Sequence, residues 1–227
     1  MRAVVHLRAC LIITILLVFG YESFGRDFGA SLKVGTPGLG ADVTVNLWED
    51  INLRVGINYF SYSMDFDDDD DDDNGGDENI TLSLDLQSFP LLLDWHPFKN
   101  NFRASAGLFF NGNKIGLKAE AGDTIDINDV EYEIDDFSIS VDFNQICPYL
   151  GIGYGNGATG NRRFVFAFDF GVMFQGAPDI SARATAVNPD LQAALDRDLD
   201  EEVKDIEDDF SFLGFFPVIS FGLSYRF

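Results

Sequence analysis

The chain ends in the segment VISFGLSYRF at residues 218–227, which alternates without a break between two kinds of side chain. Every second residue is large and apolar: Ile219, Phe221, Leu223, Tyr225 and Phe227. The residues between them are mostly small or polar: Val218, Ser220, Gly222, Ser224 and Arg226. Because successive side chains of a strand point to opposite faces, the segment predicts a β-strand with one apolar and one polar face.

The same two-residue period recurs along the chain. Residues 164–174 set a row of aromatic and aliphatic side chains opposite Ala167, Asp169 and Gly171, and residues 53–59 and 43–47 repeat the pattern. Two architectures produce such strands. A soluble β-sandwich buries the apolar face, whereas a membrane barrel turns that face to lipid and packs small and charged residues inside. Gly, Ser, Asp and Arg on the polar face favour the barrel's narrow interior, and the sandwich is the alternative.

The first 25 residues have the features of a secretory signal peptide. Arg2 and Arg8 precede an apolar run at 11–19, and the small residues Ser23 and Gly25 precede a cleavage site at Arg26. An uncleaved membrane anchor is the alternative, but the apolar run is shorter than the ~20 residues of a membrane span. We therefore expect a signal peptide at 1–25 and one outer-membrane β-barrel domain at 26–227.

Short and long connections alternate along the mature chain. Short ones fall at 48–51, 97–101 and 156–162, and long acidic ones at 65–78, 119–136 and 188–209. Outer-membrane barrels combine short periplasmic turns with long external loops. The predicted fold is all-β, an eight-stranded antiparallel up-and-down transmembrane β-barrel with long acidic extracellular loops. Its expected strands are 29–35, 39–48, 52–65, 79–96, 102–118, 137–155, 163–186 and 211–227. The alternation shifts by one residue near Pro90 and Pro148, which predicts β-bulges there.

The net charge of −23 is unevenly distributed. The three long connections hold 10, 8 and 10 acidic residues, so the acidity belongs to one end of the predicted barrel, the external one. Binding of phosphate backbones requires a basic surface, which argues against nucleic acid as a partner.

The leader, the eight-strand alternation and the terminal Tyr225-Arg226-Phe227 resemble small bacterial outer-membrane barrels of the OmpA, OmpX and OmpW type. Residues 91–97 and 148–153 also resemble a recurring group of uncharacterised proteobacterial barrels. The resemblance implies location in the bacterial outer membrane, contact with its lipid and lipopolysaccharide, and recognition of Tyr225 and Phe227 by the barrel-assembly machinery. It implies no reaction.

The sequence does not predict an enzyme. Outer-membrane lipases and acyltransferases use Ser and His near the outer leaflet, but His96 is the only histidine of the mature chain. It stands beside a predicted periplasmic turn. Cys147, in a predicted strand, is interpreted as a packing residue.

We expect charged side chains to fill the barrel's interior. The candidate bases are Lys33, Arg54, Arg103 and Arg226. The candidate acids are Asp42, Asp85, Asp94, Asp142 and Asp169. An eight-stranded barrel has just enough room inside for side chains, and buried charges there must pair. A plugged lumen with a structural or surface-interaction role is predicted; a narrow OmpW-like channel for small hydrophobic molecules is the alternative.

The third long connection has the signature of an amphipathic helix. Asn188 and Pro189 suit its first positions. An apolar stripe follows: Leu191, Leu195, Leu199, Val203, Ile206 and Phe210. The helix either covers the barrel mouth or an adjacent loop, or it contacts a partner or lipid.

Seven consecutive aspartates occupy the first long connection: Asp67, Asp68, Asp69, Asp70, Asp71, Asp72 and Asp73. Position twelve of a calcium loop counted from Asp70 is Thr81, so the run is not an EF-hand. Adjacent carboxylates repel one another and attract cations, which predicts weak Ca²⁺ or Mg²⁺ binding that links the loops to lipopolysaccharide phosphates or a basic external partner. A solvated acidic loop is the alternative.

Replacing residues 67–73 with serine should leave the barrel folded and abolish any divalent-dependent protection of the loops. The measurement is limited proteolysis of the purified barrel during a calcium titration. Protection no greater than that given by Na⁺ at matched ionic strength would contradict cation binding, because salt alone screens exposed charges.

Overall fold

The computed structural model describes residues 27–67, 79–120, 124–127, 130–158, 163–209 and 211–227. The predicted signal peptide at 1–25 lies outside the described residues. Twelve strands and one α-helix are present in the described part of the chain. They are β1 Phe28–Gly35, β2 Gly38–Trp48, β3 Ile51–Asp67, β4 Asn79–Trp95, β5 Phe102–Asn111, β6 Lys114–Glu120, β7 Thr124–Ile127, β8 Val130–Asp142, β9 Ile146–Tyr154, β10 Phe164–Phe174, β11 Asp179–Ala186, α1 Gln192–Asp209 and β12 Phe215–Arg226.

Eight of these strands close into an antiparallel barrel. The order around the wall is β1, β2, β3, β4, β5, β9, β10 and β12, and β12 pairs again with β1. The seam joins the two ends of the described chain, with Ala30 opposite Tyr225 and Leu32 opposite Leu223. Phe28 and Phe227 stack beside it, their ring centroids 4.8 Å apart. The predicted eight-stranded barrel is confirmed, including the closure of its last strand against its first.

The sheet continues beyond the barrel at the end that carries the long connections. There β6, β8 and β11 prolong β5, β9 and β10, and the upper part of β4 leaves β5 to pair with β6. We call residues 60–67 of β3, 79–86 of β4, and β6, β8 and β11 the outer sheet. The strands expected at 102–118, 137–155 and 163–186 are therefore each divided where the barrel ends.

The wall is lower at the β1–β2 hairpin than elsewhere. Its turn closes at Gly38, whose φ of 100° suits a residue without a side chain. Strand β2 pairs with β3 only as far as Tyr59. Residues 60–67 of β3 consequently extend past the hairpin into the outer sheet.

An apolar belt surrounds the barrel. On β3 the outward residues Leu53, Val55, Ile57 and Tyr59 alternate with inward polar ones, and Arg54 is only 3% exposed. On β10 the outward Phe166 is 80% exposed. Side chains this large and apolar, exposed all around a closed wall, require lipid outside it. None of the helices in the described ranges has the length and apolar character of a membrane-spanning helix.

The apolar side chains change face where the barrel becomes the outer sheet. On β4 the apolar residues 89, 91, 93 and 95 point outward from the barrel, whereas the leucines and isoleucine at 80, 82, 84 and 86 share the face of the inward Leu92. On β3 the apolar side chains likewise move from the outer to the inner face of the sheet between Tyr59 and Phe60. Lipid outside the barrel selects an apolar outer face, and water outside the outer sheet selects a polar one.

The bulges predicted at Pro90 and Pro148 are wrong. Strands β4 and β5 keep one register through the pair Pro90–Phe109, and β5 and β9 keep theirs through Leu108–Pro148. The shift of the alternation near each proline reflects this change of face, since the backbone inserts no extra residue. Register shifts occur instead between Asn46 and Trp48 and between Thr185 and Ala186.

The helix forms as expected and packs on the outer sheet. Asn188 accepts a hydrogen bond from the backbone N–H of Asp190, 3.1 Å away, and Pro189 begins a 3₁₀ turn that leads into α1. Leu195 and Leu199 are buried against residues of β8 and β11. The last residue of the predicted apolar stripe, Phe210, lies outside the described residues.

The outer face of the belt contacts lipid, whereas the outer face of the outer sheet contacts water. A pair of arginine substitutions, one on each face, should therefore differ in their effect on stability. Leu91→Arg, near the middle of the belt, should destabilise the barrel by ~2–4 kcal/mol. Ser63→Arg, exposed on the outer face above the belt, should change stability by about 0.5 kcal/mol or less. Denaturant unfolding in lipid vesicles measures both, and equal costs would contradict the boundary of the belt.

Candidate functional site

An ionic cluster occupies the half of the lumen that is nearer the short turns. Six strands each contribute one residue to it. Its members are Lys33, Asp42, Arg54, Asp94, Arg103 and Asp169. Three positive and three negative side chains balance one another. Every one of them has a side chain less than 10% exposed.

Arg54 and Asp169 hold the ionic cluster together. Arg54 Nε lies 2.9 Å from Asp94 Oδ2, and its Nη1 lies 2.9 Å from Asp169 Oδ2. The other oxygen of Asp169 accepts a 2.7 Å hydrogen bond from Arg103, and Lys33 pairs with Asp42 at 2.6 Å. Each buried charge thus has an opposite charge within reach, as burial at low dielectric demands.

An apolar layer fills the lumen between the ionic cluster and the outer sheet. Its buried members are Leu92, Phe109, Cys147, Tyr149, Met173 and Val218. The rings of Phe109 and Tyr149 lie 5.1 Å apart. Cys147 is fully buried here, which fits the packing role expected of it.

Polar side chains close both ends of the lumen. Towards the outer sheet, Asn58 donates a 3.0 Å hydrogen bond to Ser88. At the short-turn end, Asn52 lies 3.1 Å from Nε2 of His96, whose Nδ1 is 3.0 Å from the carbonyl oxygen of Phe102. Donation from Nδ1 to that carbonyl leaves Nε2 to accept from the amide of Asn52. His96 therefore fixes the turn after β4.

The void inside the ionic cluster has a volume of about 10 Å³. A single water molecule needs roughly 10–15 Å³ of such space. Eight strands enclose just enough room for side chains, and the void left between the charged ones is barely the size of one water molecule.

A much larger cavity, of about 230 Å³, lies between α1 and the inner face of the outer sheet. The described residues around it, Glu202 included, expose only apolar surface to it. Residues of β8 and β11 form one side, among them Phe137, Ile139, Val141 and Ala182, and Val203 and Ile206 of α1 form the other.

One end of α1 is fastened to the sheet beside this cavity. The hydroxyl of Tyr132 donates a 2.6 Å hydrogen bond to Asp198 Oδ2, and Gln192 bonds the backbone of Ala184 and Ala186. The hydrogen bond raises the pKa of Tyr132, and together with the guanidinium of Arg197 it lowers the pKa of Asp198. Since the carboxyl pKa is lowered, its contribution to helix docking is present above the ordinary carboxyl range and is lost as the pH falls through the lowered pKa.

Six of the nine charged residues predicted for the lumen form the ionic cluster. Asp85 and Asp142 do not, because they lie on the polar face of the outer sheet, where Asp85 accepts a hydrogen bond from Ser61 and Asp142 pairs with Lys114. Arg226 ends β12 and is outside the cluster.

The predicted cation site falls largely outside the described residues. Asp67 ends β3 opposite Asn79, and Asp68–Asp73 are not described. Among the residues that are described, no three His, Cys, Asp or Glu side chains are grouped as metal ligands.

Two features were not predicted from the sequence, namely the apolar layer and the apolar cavity. The layer's members stand at lumen-facing positions of recognisable strands, so the alternation itself contained the signal. The cavity had only an indirect signal, the continuation of the helix's apolar stripe to Val203 and Ile206 beyond the residues that pack on the sheet.

The closed eight-stranded barrel and its apolar belt define the fold class of small outer-membrane β-barrel proteins. Solved structures agree with this fold. The barrel is similar to that of Acinetobacter baumannii CarO2, with a TM-score of 0.54 and 18% sequence identity over 88% of this chain and 98% of that one.

Two further structures align at TM-scores below 0.5. They are Acinetobacter baumannii CarO, at 0.49 and 20% identity over 88% of this chain and 97% of that one, and a major outer membrane protein of Thermus thermophilus, at 0.40 and 14% identity over 89% and 100%. No protein-family model and no curated protein sequence matches the chain.

Removing one carboxylate of the ionic cluster should leave one buried positive charge in excess. Asp169→Ala deprives both Arg54 and Arg103 of a carboxylate and should cost about 3–5 kcal/mol of stability. Asp85→Ala, on the exposed face of the outer sheet, should cost about 0.5 kcal/mol or less. Unfolding in denaturant measures both, and similar costs would show that the cluster does not depend on charge pairing.

Proposed function

We propose that the protein is a non-conducting barrel of the bacterial outer membrane with a structural or surface-interaction role. The observation that carries this proposal is the filled lumen. A solute crossing it would have to displace the polar residues at each end, the apolar layer and the ionic cluster in turn. The void of about 10 Å³ leaves no room for a solute larger than water.

The outer sheet and α1 are the parts of the molecule available for interaction. Outer-membrane barrels place long loops outside the cell and short turns in the periplasm, and on this basis we infer that the outer sheet lies at the cell surface. Cys147 is buried, so a cysteine introduced at an exposed position could be labelled selectively on intact cells. Labelling of Asn100→Cys but not of Glu201→Cys would overturn this orientation.

We propose partners that suit the same arrangement. The belt contacts lipid, and the outer sheet stands beside lipopolysaccharide. Tyr225 and Phe227 end the strand that seals the barrel, where the barrel-assembly machinery would read them. The acidic loops, including Asp67–Asp73, suit bridging divalent cations or a basic external partner. Outer-membrane levels unaffected by deletion of Phe227 would contradict its part in assembly.

No catalytic role is proposed. His96 and Cys147, the residues weighed for chemistry in the sequence, are both enclosed: His96 is 3% exposed and bonded at both ring nitrogens, and Cys147 is fully buried. Neither residue lines either of the two cavities formed by the described residues.

A narrow channel for small hydrophobic molecules is the second candidate, because the cavity under α1 is apolar. A channel would need the apolar path to continue through the barrel. The polar residues around Asn58 and Ser88 and then the ionic cluster stand in that path.

The purified barrel reconstituted in planar bilayers should give no discrete openings, because the lumen holds no continuous water path. A channel-forming porin prepared in the same way is the positive control. Reproducible openings from the barrel would overturn the non-conducting role and favour the channel.

A further inference from the structure

We propose that the cavity between α1 and the outer sheet is a binding site for an alkyl chain whose headgroup is neutral or cationic. The site is independent of the proposed closed lumen, since it lies outside the barrel and would exist whether or not the barrel conducts.

The size and surface of the cavity favour an apolar guest. Apolar cavities of roughly 150 Å³ stay free of water and take up small apolar molecules. This cavity, at about 230 Å³, is larger and equally without polar lining. Water against this lining would find no hydrogen-bonding partner, whereas methylene groups would contact carbon atoms of the outer sheet on one side and of α1 on the other.

Only the first half of α1 packs closely on the outer sheet, and the cavity lies beside the second half. Leu195 is fully buried and Leu199 is 7% exposed where the first half of α1 meets the sheet. The apolar stripe continues to Val203 and Ile206, but these residues are only half-buried and face the cavity. Where the described residues supply no packing partner, the continued stripe is the surface on which an alkyl chain would lie.

The charge around the site selects the headgroup. Helix α1 carries nine acidic residues and two basic ones. Glu202 contributes its aliphatic stem to the cavity wall while the residue itself is exposed to solvent. An anionic headgroup beside this helix is repelled, a neutral one is tolerated and a cationic one is attracted.

The binding test uses the full barrel in lipid vesicles and a photoreactive diazirine analogue of dodecanol. Irradiation should label peptides that contain Ile139, Val141 or Val203, and unlabelled dodecanol should compete. Dodecanoate should compete about tenfold less well, equivalent to ~1.4 kcal/mol. Labelling that dodecanol cannot displace, or that is spread evenly over the belt, would overturn the site.

Two substitutions on one strand separate binding from folding. Ala182→Phe fills the cavity from β11 and should reduce labelling about tenfold or more. Ser181→Phe places the same ring on the opposite, exposed face and should leave labelling unchanged. Should Ala182→Phe fail to give the heat-modifiable gel migration of a folded barrel, Val203→Phe fills the cavity from the helix instead. Undiminished labelling in a folded, cavity-filled variant contradicts the proposal.

Charge reversal tests the headgroup preference. Glu202→Lys should improve competition by dodecanoate and leave competition by dodecanol unchanged. An unchanged ratio between the two competitors would overturn the preference for neutral and cationic headgroups.

The source of the chain is decided by where the photoreactive group is placed. One arm uses vesicles whose phospholipid carries a photoreactive acyl chain, and the other adds the free dodecanol analogue to unreactive lipid. Cavity labelling in the first arm alone identifies a membrane lipid as occupant, and labelling in the second identifies a free amphiphile. Labelling in neither arm overturns the proposal.

Discussion

Hydrocarbon offers no hydrogen-bonding partner to a peptide group, and the rest of this structure depends on that constraint. Every strand in the belt must pair on both sides, so the sheet has to close. The pairing of β1 with β12 meets the requirement. A barrel closed with eight strands has a narrow interior, which has room for side chains and little else.

The charges buried in the interior balance one another, with as many positive as negative side chains. Arg54 contacts both Asp94 and Asp169, and Asp169 in turn accepts from Arg103, so each group neutralises more than one neighbour. The apolar layer above separates this cluster from the outer sheet. The lumen is therefore a small protein core, with ionic and apolar layers stacked along the barrel axis.

Much of the barrel could be predicted because lipid imposes a strict alternation on each strand. Residues 218–227 display it completely, and the strands ending at Trp48 and Tyr154 display it well. The same rule led to wrong predictions at Pro90 and Pro148. A strand that passes from lipid to water moves its apolar side chains to the other face, and this shift in the alternation looks the same in sequence as a β-bulge. Asp85 and Asp142 were placed in the lumen for a related reason, since they lie on strands that continue beyond the membrane and there face water. The ionic cluster followed from strand alternation, but the cavity did not, because its existence depends on how far along α1 the helix stays in contact with the sheet.

The part of β3 that rises above the β1–β2 hairpin leaves a free edge, where residues 61–67 have no neighbouring strand on the side of β2 among the described residues. Unpaired strand edges invite the edge of another molecule, and proteins discourage such joining with charge. Asp65 and Asp67 stand on this edge, and the run of aspartates begins at its tip. Two copies approaching edge to edge in a crowded membrane would bring these carboxylates together. Repulsion between these acidic residues would oppose the joining of two such edges into one sheet.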